Sequence, residues 1–170
     1  MTDIAIDKKQ DPAKCAPMRV TVLGGGSFGT AIANLASRNG CDTRMFIRDA
    51  EVAADMQETR RNQRYLPDFV MDENLSFTSD LEFAVRDRDL ILVAIPSSNF
   101  RTVLRQVAPF ITGQVVVSLT KGIEPDSFAL MSDIIREELP QVAYGVLSGP
   151  NLAKELMAGL PAGTVIASPS

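Results

Sequence analysis

Residues 19–33, RVTVLGGGSFGTAIA, limit what this chain can become more than any other stretch. The first five are mostly apolar or β-branched, three consecutive glycines follow, and the run after Gly29 is rich in alanine. Strand, tight turn and helix follow from that order. The glycines stand as Gly24-x-Gly26-x-x-Gly29. At this spacing the first glycine permits the turn, the second lets backbone approach a pyrophosphate, and the third lets the helix pack on the strand. Unsatisfied N–H groups at the helix start, beside Ser27 and Phe28, then face an anion. A bare glycine pattern is a weak signal, but the strand before it and the helix after it supply the context that a dinucleotide site needs. The alternative is a glycine-rich turn that holds no ligand.

Composition narrows the remaining chemistry. With 170 residues, 45% of them hydrophobic and 22% charged, the chain has the balance of a globular protein and enough length to bury a substantial core. A net charge of −4 argues against nucleic acid as a partner, while leaving room for a local basic pocket that holds phosphate. No apolar run reaches membrane-spanning length. The absence of histidine removes histidine triads, histidine metal sites and histidine proton relays, and no metal site is expected. Any proton transfer falls to Lys, Asp, Glu, Tyr or water. Cys15 and Cys41 have neither CxxC nor paired metal-ligand spacing and read as free thiols of a reducing, cytoplasmic compartment. Residues 1–17 are polar, carry both charge signs and lack the apolar centre of a signal peptide, so a flexible tail is expected there.

Further along, strand and helix patterns alternate. Gly40 closes the first helix. A second strand is expected over 43–47, and Arg48 and Asp49 follow it at nineteen and twenty positions beyond Gly29. A ribose-contacting residue belongs there: an acidic side chain accepts hydrogen bonds from the ribose, whereas an arginine pairs with a 2′-phosphate. The alternative for Arg48 is a solvated surface arginine. Residues 50–60 are helical in composition and lead into the basic polar cluster of residues 60–64, which reads as an exposed helix end or a ligand contact. A short strand is expected over 75–78, with Ser79 or Asp80 capping the next helix. Residues 89–95, DLILVAI, are a continuous apolar run, the mark of a strand buried on both faces. The helix after Pro96 carries Phe100, Val103, Leu104 and Val107 at helical spacing, which is more often core than cofactor contact, although Phe100 stands in its first turn near the strand end where ligands gather. Strands over 115–119, 142–147 and 163–167, a helix capped by Asp126 or Ser127, and a short helix over 152–158 complete the pattern. The expected fold is α/β, a Rossmann-type, doubly wound, mainly parallel sheet spanning residues 18–170 as one domain.

In such sheets the ligand occupies a crevice outside the carboxyl ends of the strands. Three unusual turns, GGGSFG, LTKGIEP and LSGPN, all follow strands and therefore converge on one edge. Lys121 would place an ammonium near a ligand hydroxyl, carbonyl or phosphate; a lysine in isolation is more often a snorkelling surface residue. Gly149-Pro150 could equally be a helix start with proline in its usual first turn. Convergence, not any single turn, carries the functional reading.

Taken together, GGGSFGTAIA, NQRYLP, LVAIPS, TKGIE and SGPNLAKEL, in this order and spacing, resemble the amino-terminal domain of NAD(P)-dependent glycerol-3-phosphate dehydrogenase, the bacterial type above all, from residue 18 to residue 170. The resemblance implies interconversion of sn-glycerol 3-phosphate and dihydroxyacetone phosphate, for glycerophospholipid synthesis, by a homodimer when full length. It implies that Gly24, Gly26 and Gly29 form the cofactor turn, that Ser27, Phe28, Arg48 and Ala153 contact NAD(P), and that Lys121 touches both cofactor and substrate. Gly149 and Asn151 would bind the phosphate substrate, although position 151 is commonly Ser or Thr in the family. Arg48 favours NADPH, as the preferred or a tolerated form. The family's helical second domain, with its general-base lysine, is expected beyond Ser170, so the 170 residues alone are expected to bind dinucleotide weakly and turn over little. From the residues alone, a reductase of the hydroxyacid or ketopantoate kind and a non-catalytic dinucleotide-binding module remain the alternatives.

Overall fold

The computed structural model describes residues 16–169. The tail expected over residues 1–17, Ala16 and Pro17 excepted, and Cys15 lie outside the described residues. Among the described residues seven strands and six α-helices alternate: β1 (Arg19–Leu23), α1 (Ser27–Arg38), β2 (Asp42–Phe46), α2 (Ala50–Thr59), β3 (Ser76–Thr78), α3 (Leu81–Val85), β4 (Leu90–Val93), α4 (Ser97–Val107), β5 (Val115–Ser118), α5 (Met131–Glu138), β6 (Tyr144–Ser148), α6 (Ala153–Met157) and β7 (Val165–Ala167). They form one sheet in the order β3-β2-β1-β4-β5-β6-β7. The first six strands pair in parallel, and β7 pairs antiparallel with β6. This is the doubly wound dinucleotide-binding order, extended by one strand.

Alternation along the strands explains the two buried layers. Val20 and Val22 of β1, Met45 of β2 and Leu92 of β4 pack on one face with Ala31 and Ala33 of α1. Leu23, Ile91 and Val93 pack on the other with Phe100 and Leu104 of α4 and Ile134 and Ile135 of α5. A strand covered on both faces needs apolar residues at every position, which is why residues 89–95 show no polar alternation.

The order places the topological switch between β1 and β4, whose connections leave on opposite faces and open a crevice at their carboxyl ends. Gly24 lies directly after β1, and a Cβ there would stand 2.3 Å from the Ala94 carbonyl oxygen after β4. The glycine turn therefore sits at the mouth of the crevice. No helix among the described residues is long and apolar enough to cross a membrane.

One sequence expectation needs correction here. The helix expected to start at Asp126 or Ser127 begins instead at Met131. Phe128 has φ 58°, a left-handed conformation that cannot continue a helix, and its N–H donates to the Glu124 carbonyl. Phe100, at a helix start near the strand ends, has no exposed surface and belongs with Leu104 and Val107 to the core beneath the sheet, as the helical spacing of these residues implied.

Candidate functional site

Each glycine of the turn has its own physical reason. Gly24 adopts φ 123° and its N–H donates to the Phe46 carbonyl at 3.2 Å, tying the end of β1 to the end of β2. A Cβ on Gly29 would stand 2.4 Å from the Gly24 oxygen and 3.2 Å from the Ala94 methyl, so helix and strand approach as only glycine allows. Gly26 differs: it is the N-cap of α1 with φ −75° and ψ 174°, and nothing lies within 4 Å of a Cβ built on it. No side chain caps α1, and no acidic residue stands in its first turn. The positive end of the helix dipole and its unpaired N–H groups thus face open space beside Gly26.

Against this helix end lies a cavity of about 330 Å³. Ser27 and Phe28 line it from α1, Ala94 and Ile95 from β4's end, Thr120 and Lys121 from β5's end, and Asn151 and Ala153 from the turn into α6. The structure therefore brings together Ser27, Phe28, Lys121, Asn151 and Ala153. A larger, mainly apolar hollow of about 690 Å³ lies on the other side of Lys121, over β6 and β7, and includes none of the other expected site residues.

Three tethers deliver Lys121 to this position. Thr120 is buried, and its hydroxyl donates to the Val93 and Ile95 carbonyls at 3.2 and 2.8 Å, fastening the end of β5 to the end of β4. Gly122 turns the chain back with φ 95°. Glu124 accepts two-pronged hydrogen bonds from the Arg101 guanidinium at 2.9–3.1 Å, and Arg101 also donates to Glu137 and Glu138 of α5. These bonds, with one from Ser127, hold the Glu124 carboxyl below its ordinary value of 4.5, at about 2. Because the folded value is depressed, this stabilisation is complete above pH 4.5 and is lost as pH falls through about 2. Glu124→Gln is accordingly expected to melt lower than wild type at neutral pH, with the difference narrowing from pH 4.5 down toward pH 2. Paired thermal melts along that series measure it.

From this position the Lys121 Nζ donates to the Gly149 carbonyl at 3.4 Å. Gly149 itself has φ 154°, and a Cβ on it would meet the Gly163 oxygen at 2.3 Å and the Asn151 Nδ2 at 2.9 Å. Asn151 Oδ1 accepts from the Thr164 hydroxyl at 3.2 Å. The acceptor end of this side chain is engaged by the chain itself, and its amide N–H groups are the end left for a ligand. Pro150 precedes α6 without belonging to it, so the turn is not a proline-started helix.

Arg48 and Asp49, adjacent in sequence, separate in role. Asp49 is the N-cap of α2, its carboxylate accepting from the Glu51 and Val52 N–H groups. Arg48 is exposed beyond β2 and does not line the cavity.

The basic polar cluster after α2 is divided: Gln63 and Arg64 are exposed, while Arg60 and Asn62 turn inward. Arg60 turns inward with φ 56° and donates to the Asp72 carbonyl and, at 2.7 Å, to the Leu75 carbonyl. Asn62 is 3% exposed and donates to the Gly25 carbonyl at 3.0 Å and the Thr30 hydroxyl at 2.8 Å. Thr30, Asn34 and Ser37 form a buried polar stripe on α1 against which residues 60–75 lie: Asp72 accepts from the Ser37 hydroxyl, and its N–H donates to Asn34. Their i, i+4, i+7 spacing inside an alanine-rich helix is the sequence signal that could have pointed to Asn62.

Comparison with known proteins agrees with this geometry. The family described as NAD-dependent glycerol-3-phosphate dehydrogenase N-terminus matches residues 19–170. A glycerol-3-phosphate dehydrogenase [NAD(P)+] from Acinetobacter baumannii (strain SDF) is 66% identical over 98% of this chain and 45% of its own length. The enzyme of the same name from Acinetobacter baylyi is 62% identical over 100% of this chain and 48% of its own. Among solved structures, glycerol-3-phosphate dehydrogenase from Coxiella burnetii superposes with a TM-score of 0.85 at 33% identity, covering 91% of this chain and 47% of that one. The chain spans under half the length of the relatives it matches.

Proposed function

The chain belongs to the NAD-dependent glycerol-3-phosphate dehydrogenase family, and on that premise we propose that it forms the cofactor-binding part of an enzyme that interconverts sn-glycerol 3-phosphate and dihydroxyacetone phosphate. The single observation that carries this reading is the cavity in which the open start of α1 meets Lys121 and Asn151. An anion-binding helix end beside an ammonium and a hydrogen-bonding amide suits a dinucleotide lying next to a small phosphorylated alcohol.

When bound, NAD(P) supplies the nicotinamide that exchanges a hydride with C2 of the substrate, while the hydroxyl proton passes to or from a base. The residues present fit such a cofactor, because the space beside Gly26 admits a phosphate against main-chain N–H groups. In this reading Gly24, Gly26 and Gly29 shape the cofactor turn, and Ser27, Phe28 and Ala153 border the cofactor. Lys121 orients the reacting oxygen and stabilises negative charge that develops on it. Gly149 and Asn151 meet the substrate, Gly149 through its hold on Lys121. Arg48 reads the 2′-phosphate, since Asp49 is committed to capping α2. The whole enzyme is a cytoplasmic homodimer in the same reading, which light scattering and fractionation of the full-length protein test.

The decisive experiment mixes the full-length protein with NADPH and dihydroxyacetone phosphate and follows loss of nicotinamide absorbance. Oxidation supports the proposal. No oxidation with this ketone, but oxidation with a 2-keto acid such as ketopantoate, overturns it. For Arg48, a charge-assisted contact contributes about 1.5–3 kcal/mol, so Arg48→Ala is expected to weaken NADPH by about tenfold to hundredfold. NADH should weaken by less than about threefold, because it lacks the group that Arg48 pairs with. Equal losses for the two cofactors would show that Arg48 does not read the phosphate.

A further inference from the structure

We infer that Asn62 is a positioning residue for the dinucleotide: by holding the Gly25 carbonyl, its side-chain amide aims the Gly26 N–H at the pyrophosphate. The inference rests on the reading of the glycine turn as a cofactor site.

The geometry is that of a saturated clamp. Both Nδ2 hydrogens of Asn62 are used, one on the Gly25 oxygen at 3.0 Å and one on the Thr30 hydroxyl at 2.8 Å. Its Oδ1 accepts from the Tyr65 N–H at 3.2 Å. Buried to 3% exposure, the amide has no freedom to trade these partners for water. The clamp is itself anchored, because the Leu66 N–H donates to the Asn62 carbonyl at 2.9 Å and Leu66 is buried in the core at 1% exposure.

What the clamp controls follows from peptide planarity. In a trans peptide the carbonyl of residue 25 and the N–H of residue 26 point in opposite directions. With the carbonyl fixed toward Asn62, the Gly26 N–H is fixed away from it, and that N–H has no backbone partner among the described residues. The 25–26 peptide lies between two glycines, and without side chains it can turn over at low steric cost. Turned over, it would present a carbonyl oxygen to a phosphate, which repels it. Asn62 therefore selects the peptide orientation that attracts the anion.

The test uses NADPH fluorescence to measure binding to wild type, Asn62→Ala and Asn62→Asp. Asn62→Asp keeps the shape but, when ionised, has no donor for the Gly25 carbonyl. Both variants are expected to weaken NADPH and inorganic pyrophosphate by about tenfold or more, the effect of losing an aligned donor. Adenosine 2′-monophosphate, which has no pyrophosphate, should weaken by less than about twofold; a merely structural role would weaken both kinds of ligand alike. In wild type, the Gly26 amide NMR signal should shift on pyrophosphate addition more than that of Gly25, a readout that needs no variant. Unchanged pyrophosphate affinity in the variants or equal losses for all ligands overturns the inference while leaving the cofactor reading intact; an unmoved Gly26 signal overturns the inference together with the placement of the pyrophosphate at Gly26. Wild type that binds no NADPH overturns the cofactor reading itself, and the inference with it.

Discussion

Gly26→Ala is expected to weaken dinucleotide binding about a hundredfold in a protein that melts where the wild type melts. Its φ of −75° and ψ of 174° are open to alanine, and no atom lies within 4 Å of the added methyl, so folding does not register the change. The open space is where a pyrophosphate would approach the helix end, and the methyl holds it off the N–H groups. Losing one or two charge-assisted hydrogen bonds costs about 3 kcal/mol or more, a drop in affinity of about a hundredfold. Gly29→Ala should behave in the opposite way. Its methyl would stand 2.4 Å from the Gly24 oxygen, and relieving that clash moves helix from strand at a cost of about 1–3 kcal/mol. A lower melting temperature is therefore expected for Gly29→Ala before any ligand is added, by about 2–4 °C per kcal/mol. Calorimetric melts and NADPH titrations of both variants separate the two roles. Retained affinity in Gly26→Ala would show that the ligand does not approach this backbone.

That contrast also shows what sequence could convey. The glycine spacing carried three separate roles, and Gly24, Gly26 and Gly29 show three separate environments in the fold. The apolar runs marked the buried strands because a covered sheet admits no polar alternation, and strand-to-helix alternation marked the parallel order. Convergence of the turns at Lys121 and Asn151 was legible because parallel strands all end on one edge. Where the outcome depended on competing partners, sequence was silent. The sequence favoured Arg48 over Asp49 as the residue facing a 2′-phosphate, but it did not show that Asp49 caps α2, a role that depends on where the helix begins. The start of α5 was misread because Ser127, a good capping residue, is drawn to Glu124, which Arg101 holds from a distant helix. Asn62 lay hidden in a cluster dominated by arginines, since an irregular segment has no periodicity of its own; the only trace of its burial is the polar stripe of Thr30, Asn34 and Ser37 on α1, the helix it packs against.

If the proposed reaction holds, replacing Lys121 with Met in the full-length protein is expected to lower kcat with dihydroxyacetone phosphate by about a hundredfold to a thousandfold, the effect of deleting a preorganised donor worth about 2.7–4 kcal/mol in the transition state. The lysine is exposed, and its bond to the Gly149 carbonyl, at 3.4 Å, is longer than an optimal one. An ammonium has three hydrogens to give, so at least two remain for a ligand. Its backbone is meanwhile held by groups that the substitution leaves alone: the Thr120 hydroxyl on β4's carbonyls, the turn at Gly122, and Glu124 gripped by Arg101. Met has a similar length and no charge, so the melting temperature should stay near that of wild type and NADPH affinity within a few fold. Lys121→Arg restores the charge but presents a planar fork in place of a point donor, and it should recover only part of the rate. Steady-state kinetics with varied ketone distinguish the possible roles. A fall in kcat and kcat/KM together marks a contact made to the oxygen as charge develops on it; a rise in KM with kcat unchanged would reduce Lys121 to a group that holds the substrate phosphate and takes no part in the hydride step.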